Sequence, residues 1–340
     1  MTTSRLDLTR TQILAFRRRV GALDERLRPG RSSLRRAAWA GLQDSMPRAA
    51  LFSIHARVEG TEPTTWEDPS LVQVWGPRYS AYVVAERDLA VFSLGRLPDD
   101  AGDRQFAEDR AARLHALLGK GRMTYGEAGR SLGLPPNSLR YAATTGTILM
   151  RWDGARQPVI WTVPPPDVNP GTARLELARR YLHIFGPTDS ESFARWAGLT
   201  PRMGIAVFEA LRRSLTPVWT PIGEAWILAR DEPSFRATPG PTALARLLPS
   251  GDTYFLLQGA DRELLVGDAD HRRALWTPRV WPGAVLVEGE IVGTWRRSQH
   301  TVTIQAWRHL SHAKRDAVEM EATSLPIPSI KGQIVVRWDG

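Results

Sequence analysis

The residues best suited to chemistry in this chain lie together in Gly41-Leu42-Gln43-Asp44-Ser45-Met46-Pro47-Arg48. Gln43, Asp44 and Ser45 supply an amide, a carboxylate and a hydroxyl in consecutive positions. The amide can hold a water molecule but cannot take its proton near neutral pH. The hydroxyl is a second water ligand without charge, and the carboxylate is the one base of the three. If the segment is extended, Gln43 and Ser45 share one face and Asp44 points to the other. Catalysis by this trio competes with a plainer use of it, a polar turn in which Ser45 caps the helix that follows.

The flanking patterns place the trio on a short link between two helices, residues 32–40 and 47–58. Pro47 suits the first turn of the second helix, where its missing N–H is no loss. Upstream, residues 8–22 read as a helix capped by Thr9, with Ile13, Leu14, Phe16 and Val20 as its apolar stripe. Downstream of a polar loop at 62–69, strands are expected at 71–75 and 79–84, joined at Gly76-Pro77-Arg78. Three helices followed by a hairpin is the order of a winged helix-turn-helix.

That order recurs. A helix at 104–119, with Phe106, Leu114, Leu117 and Leu118 inward, precedes a short helix at 124–132 and a third opened by Pro136-Asn137-Ser138. A hairpin at 148–152 and 159–163 turns at Asp153-Gly154-Ala155-Arg156, and Pro164-Pro165-Pro166 forms a stiff linker. From about Thr172 the pattern starts a third time. Leu114-His115 aligns with Leu182-His183, and Leu132-Gly133-Leu134 with Ala197-Gly198-Leu199. Both copies have Thr where the second helix starts (Thr124, Thr188) and Pro where the third starts (Pro135, Pro201). A third hairpin is expected at 217–220 and 225–229. Self-similar units of this kind must bury a face against a neighbour.

After Pro239-Gly240-Pro241 the period changes to two, with strands at 254–258, 284–287, 290–294 and 302–305. Glu288-Gly289 is a tight hairpin turn, residues 309–322 form a charged helix, and 334–338 a last strand. The expected fold class is α+β: winged helices at 1–100, 101–166 and 167–238, then a small β-barrel-like domain at 239–340.

With 340 residues, 42% hydrophobic and 24% charged, the composition is that of an ordinary globular protein. No apolar run is long enough to span a membrane, and Met1-Thr2-Thr3-Ser4-Arg5 does not begin a secretory signal. The absence of cysteine excludes disulfides and thiolate metal sites, and the seven histidines lack HxH or HExxH spacing. There is no Walker-type glycine-rich loop. The net charge is +9 and the pI about 10.5, with Lys120, Lys314 and Lys331 the only lysines. An arginine excess of this size favours a polyanionic partner, duplex DNA above all. Arg78, Arg151 and Arg156 fall in or beside the wings and Arg140 on a recognition helix, all positions for phosphate or groove contacts. Each is equally well read as a solvated surface charge. Trp75, at the tip of the first wing, is a candidate for base stacking or for the core.

The chain resembles the winged-helix DNA glycosylases of the AlkZ/YcaQ group over about residues 8 to 307. The most specific match is Trp281-Pro282-Gly283-Ala284-Val285-Leu286-Val287-Glu288-Gly289-Glu290-Ile291-Val292-Gly293-Thr294-Trp295-Arg296-Arg297, supported by Asp252-Thr253-Tyr254 and Asp270-His271-Arg272-Arg273. The resemblance implies three tandem winged helices and a β-barrel around a concave DNA channel; Arg296 and Arg297, which end a family-like strand, are candidates to face it. It implies catalysis at Gln43, where the family carries Gln-x-Gln or Gln-x-Asp; here the second position is Ser45. The family's Arg-Gly-Thr-x-His stretch in the first wing reads Arg78-Tyr79-Ser80-Ala81-Tyr82, so Tyr82 stands where the histidine would be. The implied activity is excision of alkylated purines, crosslinked ones included, by a cytoplasmic, nucleoid-associated monomer without metal or organic cofactor. Two rivals remain: a winged-helix DNA-binding protein without catalysis, and a scaffold whose winged helices contact protein. DNA binding through arginines weakens steeply with salt, which separates the scaffold from the others.

Overall fold

A computed structural model describes residues 6–46, 48–154, 156–328 and 332–339. Pro47, Ala155, Lys331 and the first five residues, each of which carries an expectation above, lie outside the described residues.

The chain enters as a short strand β1 (Leu6–Asp7) and helix α1 (Arg10–Val20). Thr9 and Gln12 close a reciprocal capping box at its start, as the cap expectation required. Next come α2 (Arg31–Ala37), β2 (Leu42–Gln43) and α3 (Ala49–Arg57). The hairpin β3 (Leu71–Trp75) and β4 (Ala81–Ala85) follows, joined by a single 3₁₀ turn at Pro77–Tyr79. After the one-turn α4 (Leu89–Phe92), the second run is α5 (Ala101–Leu118), β5 (Met123–Thr124) and α6 (Tyr125–Leu132). A 3₁₀ segment at Pro136–Thr145 and the hairpin β6 (Ile148–Arg151) and β7 (Val159–Thr162) complete it. The third is α7 (Pro170–Phe185), α8 (Ser190–Ala197), α9 (Pro201–Leu211), β8 (Leu215–Thr220) and β9 (Gly223–Leu228). Two of the helix ends match. Gly133 and Gly198, aligned in sequence, both end their helices in the left-handed region, at φ 64° and 74°. Thr124 caps α6, but the side chain that caps α8 is Asp189, one residue past Thr188.

The first two hairpins are not separate wings in space. They join in one six-stranded sheet, ordered β2-β4-β3-β6-β7-β5, through the antiparallel pairing of Gln73 with Met150. That junction brings the second hairpin's turn beside the link. The third hairpin instead takes β1 as a parallel neighbour.

After α10 (Glu232–Arg236), the C-terminal region holds β10 (Ala245–Leu248), α11 (Asp261–Leu265), α12 (Ala269–Leu275), β11 (Gly283–Val287), β12 (Glu290–Ser298), β13 (Thr301–Ala306), α13 (His312–Thr323) and β14 (Val335–Trp338). Its five strands run in the order β10-β11-β12-β13-β14, with β10 and β14 at the edges. The sheet is therefore open, and the barrel-like expectation is corrected. Helices α3 and α13 pack against β10, and β14 joins β13 in parallel, so the ends of the sheet never meet. The strand expected at 254–258 is absent as well. The Asp252 carbonyl accepts the backbone N–H groups of Phe255 and Leu256 at 3.1 and 2.9 Å, and its side chain accepts that of Tyr254, winding this buried apolar run into turns. Phe106, expected inward, is 37% exposed under the guanidinium of Arg110.

A buried ion pair ties α3 to this C-terminal region. Arg57 and Asp252, 2% and 1% exposed, meet bidentately at 2.7 and 2.8 Å, with Ser53 and Thr253 completing the network. Asp252-Thr253, part of the family-like motif, thus has a packing role that fixes α3 and the link before it.

Candidate active site

Gln43 is the last residue of β2, pairing with Tyr82 of β4, and the Asp44 N–H continues the ladder to the Ala81 carbonyl at 2.8 Å. The link is therefore extended through Asp44, and the side chains alternate. Gln43 Nε2 donates to Ser45 Oγ at 3.0 Å on one face. Asp44 turns inward to 2% exposure. Its Oδ1 accepts the Ala50 N–H at 3.0 Å and its Oδ2 accepts Gln73 Nε2 at 2.6 Å. The expected cap is thus present but supplied by Asp44, while Ser45 stays exposed. Gln73 is itself held by the Trp152 N–H at 2.7 Å across the β3–β6 junction. Burial pushes the Asp44 carboxyl up to about 6, against the opposing pull of the Ala50 N–H, Arg48, Gln73 and Arg151. The guanidinium groups of Arg48 and Arg151 both lie over Trp66, at 3.6 and 3.4 Å.

Gly41 sets the entry to the link. It has φ +73°, and a Cβ there would come within 2.9 Å of the Phe92 ring and 3.0 Å of the Tyr82 ring. Gly251 closes the other side: it packs on the Gln43 side chain, whose Oε1 is buried without a hydrogen-bond partner.

Ser45 opens onto a cleft of about 630 Å³ between the first two hairpins. The cleft gathers five of the residues singled out from sequence: Ser45, Trp75, Arg78, Arg140 and Arg156 all line it. Arg78 and Arg140 each have a buried Nε without a partner. No aspartate or glutamate is among the described residues that line it, so the charge on its wall is positive. Arg151 is not among the described residues that line it; its guanidinium stands 3.8 Å from Glu67 and over the Trp66 ring. Arg78 and Tyr79 both sit at positive φ, 54° and 55°, at the wing turn, with Arg78 against Gly198 at the end of α8. Backbone held there is strained.

Two expected DNA contacts are placed otherwise. Tyr82 is wholly buried, its ring wedged between Gly41 and Gly76, and burial raises its hydroxyl to about 12. It has no surface to offer DNA, because alternation on β4 turns it into the core. Trp75 borders the cleft but is 4% exposed and packs against Tyr125, which leaves little free face for stacking. Arg296 and Arg297 are exposed and belong to a second cleft on the far side of the link. Sequence reasoning missed Gln73, the residue that positions Asp44; its partner is distant in the chain and no local pattern marks it. It also missed Arg96, fully buried with its chain bonded to the Trp75 and Ala197 carbonyls, which burial lowers to about 10.

Among the described residues no cluster of three or more His, Asp or Glu could hold a metal ion, and no helix is long and apolar enough to cross a membrane.

Residues 36–326 match the model of the AlkZ-like DNA glycosylase family. An interstrand DNA cross-link repair glycosylase of Streptomyces sahachiroi is 27% identical over 172 residues, 49% of this chain and 46% of that protein, so the match spans about half of the relative's length. The solved structure of Streptomyces sahachiroi DNA glycosylase AlkZ has the same fold, with a TM-score of 0.78 over 98% of this chain and 100% of that one, at 18% identity.

Proposed function

The chain belongs to the AlkZ-like DNA glycosylase family, and from that premise we propose that it is a monofunctional glycosylase hydrolysing the N-glycosidic bond of alkylated purines, crosslinked ones included, in duplex DNA. In this reading residues 1–100, 101–166 and 167–238 are three tandem winged helices and 239–340 a β-rich domain that braces them. The protein works as a monomer in the cytoplasm, at the nucleoid.

One observation carries the reading: the hydrogen-bonded Gln43–Ser45 pair stands at the edge of a cleft walled by Arg78, Arg140 and Arg156, with no carboxylate among its described lining residues. Such a wall takes phosphodiester oxygens. A purine alkylated at N7 or N3 is cationic and leaves easily, through an oxocarbenium-like transition state. Its hydrolysis needs a placed water more than it needs a base. With the Gln43 amide donating to Ser45 Oγ, the hydroxyl is fixed, and its proton and second lone pair are left to hold the attacking water. Positioning of this kind contributes several kcal/mol. Asp44 is not the base, because both its oxygens are engaged below the surface. Unactivated bases should therefore resist. No lysine is among the described residues that line the cleft, so an imine with C1′ has no amine there to form from, which supports hydrolysis without strand cleavage.

A second reading, lesion binding without catalysis, draws on the buried Gln43 Oε1 packed beneath Gly251. The test is incubation with duplex DNA containing N7-methylguanine. Glycosylase action yields free N7-methylguanine, an intact abasic strand and no borohydride-trapped complex; duplex binding without base release favours the second reading.

A further inference from the structure

The link separates two clefts, with Met46 at its crest. Met46 follows Ser45 directly and is 38% exposed, although Leu42, Asp44, Ala49 and Ala50 around it are buried. A lone exposed methionine is ordinary. Its position is not. On one side Ser45 opens to the arginine-walled cleft between the hairpins. On the other, Met46 forms the lip of a second cleft, about 270 Å³, with Phe52, Val280 and Trp281 on its apolar surface and Arg296 and Arg297 at its rim. Val280, 46% exposed, extends the same apolar surface outward. Arginines therefore flank Met46 on both sides.

The segment on either side is anchored by hydrogen bonds. The Met46 carbonyl accepts the Ala49 N–H at 3.0 Å, and Asp44 below is held by the Ala81 carbonyl, the Ala50 N–H and Gln73. An exposed apolar side chain between two sets of arginines is an arrangement by which proteins pry apart a base step. Methionine suits it, being unbranched and polarisable against an aromatic face.

We propose that Met46 is a wedge that enters the duplex at the reaction site, and that the apolar cleft behind it receives the nucleobase so unstacked. The inference rests on the DNA reading above but not on catalysis. Unstacking is costly, and burial of the methionine and of one base face, with phosphate contacts on both sides, offsets it.

The experiment uses an undamaged duplex carrying 2-aminopurine, a base whose fluorescence is quenched by stacking, with binding followed in parallel by anisotropy of a terminal dye. The wild-type protein should raise the 2-aminopurine signal on binding. Met46→Ala should remove at least about half of that rise while still binding the duplex, and Met46→Leu should retain it. Far-ultraviolet circular dichroism establishes that each variant is folded. Wild-type binding with no fluorescence rise, or an undiminished rise with Met46→Ala, would overturn the wedge and leave the DNA reading standing. Failure of the wild type to bind duplex at low salt would overturn both.

Discussion

Replacing Asp44 by asparagine should change how stability depends on pH in a way that can be worked out from its surroundings. Burial lifts this carboxyl from 3.8 to about 6. In the unfolded chain it loses its proton near 3.8; in the native protein it keeps it to about 6. Between those values the native state binds more protons, so stability falls as pH rises through the window and levels off above it. About two pH units at about 1.4 kcal/mol each make a loss of about 3 kcal/mol. The asparagine side chain is neutral throughout and lacks this slope. Its oxygen still accepts the Ala50 N–H, but its amide group meets Gln73 Nε2 donor to donor, a fixed cost of ~1–3 kcal/mol. The variant should thus be weakest against the wild type below the window, and by the time pH has passed above it should have regained about 3 kcal/mol relative to the wild type. Urea unfolding followed by tryptophan fluorescence at several pH values gives the difference, in which titration elsewhere cancels. Parallel profiles for the two proteins would refute the burial of Asp44 as the site's electrostatic feature.

Two further outcomes follow from the same structure. Asp252→Asn or Arg57→Met should destabilise by ~3–5 kcal/mol in chemical unfolding, since each leaves one charge or its partners uncompensated in the interior. Duplex affinity should fall steeply with salt, and Arg78→Ala or Arg156→Ala should each lower the slope of log K against log salt by about 1 while weakening all sequences alike.

Much of the link was legible because it depends on local rules. Alternation alone puts Gln43 and Ser45 on one face, and the capping box at Thr9, the Glu288-Gly289 turn and the aligned glycines Gly133 and Gly198 are likewise local. The identity of the cap was not legible. Asp44 reaches forward six residues to Ala50, which pattern rules that look three residues ahead do not anticipate. Nor was the joining of β3 to β6, a long-range pairing without a sequence signature, although it is what gathers Ser45, Arg78, Arg140 and Arg156 around one cleft. The run at 254–258 misled because a buried apolar stretch has no period to distinguish strand from turn. Tyr82 misled because a position aligned with a family residue says nothing of which way β4 faces.

Whether the Gln43–Ser45 pair places the water that hydrolyses the glycosidic bond is read from single-turnover release of N7-methylguanine from duplex DNA by variants at these two positions. Gln43→Ala should slow release by about tenfold to a thousandfold with duplex affinity nearly unchanged, and Ser45→Ala should cost less because serine brings no charge. Release that persists at the wild-type rate in Gln43→Ala would contradict the claim and place the chemistry elsewhere in the cleft.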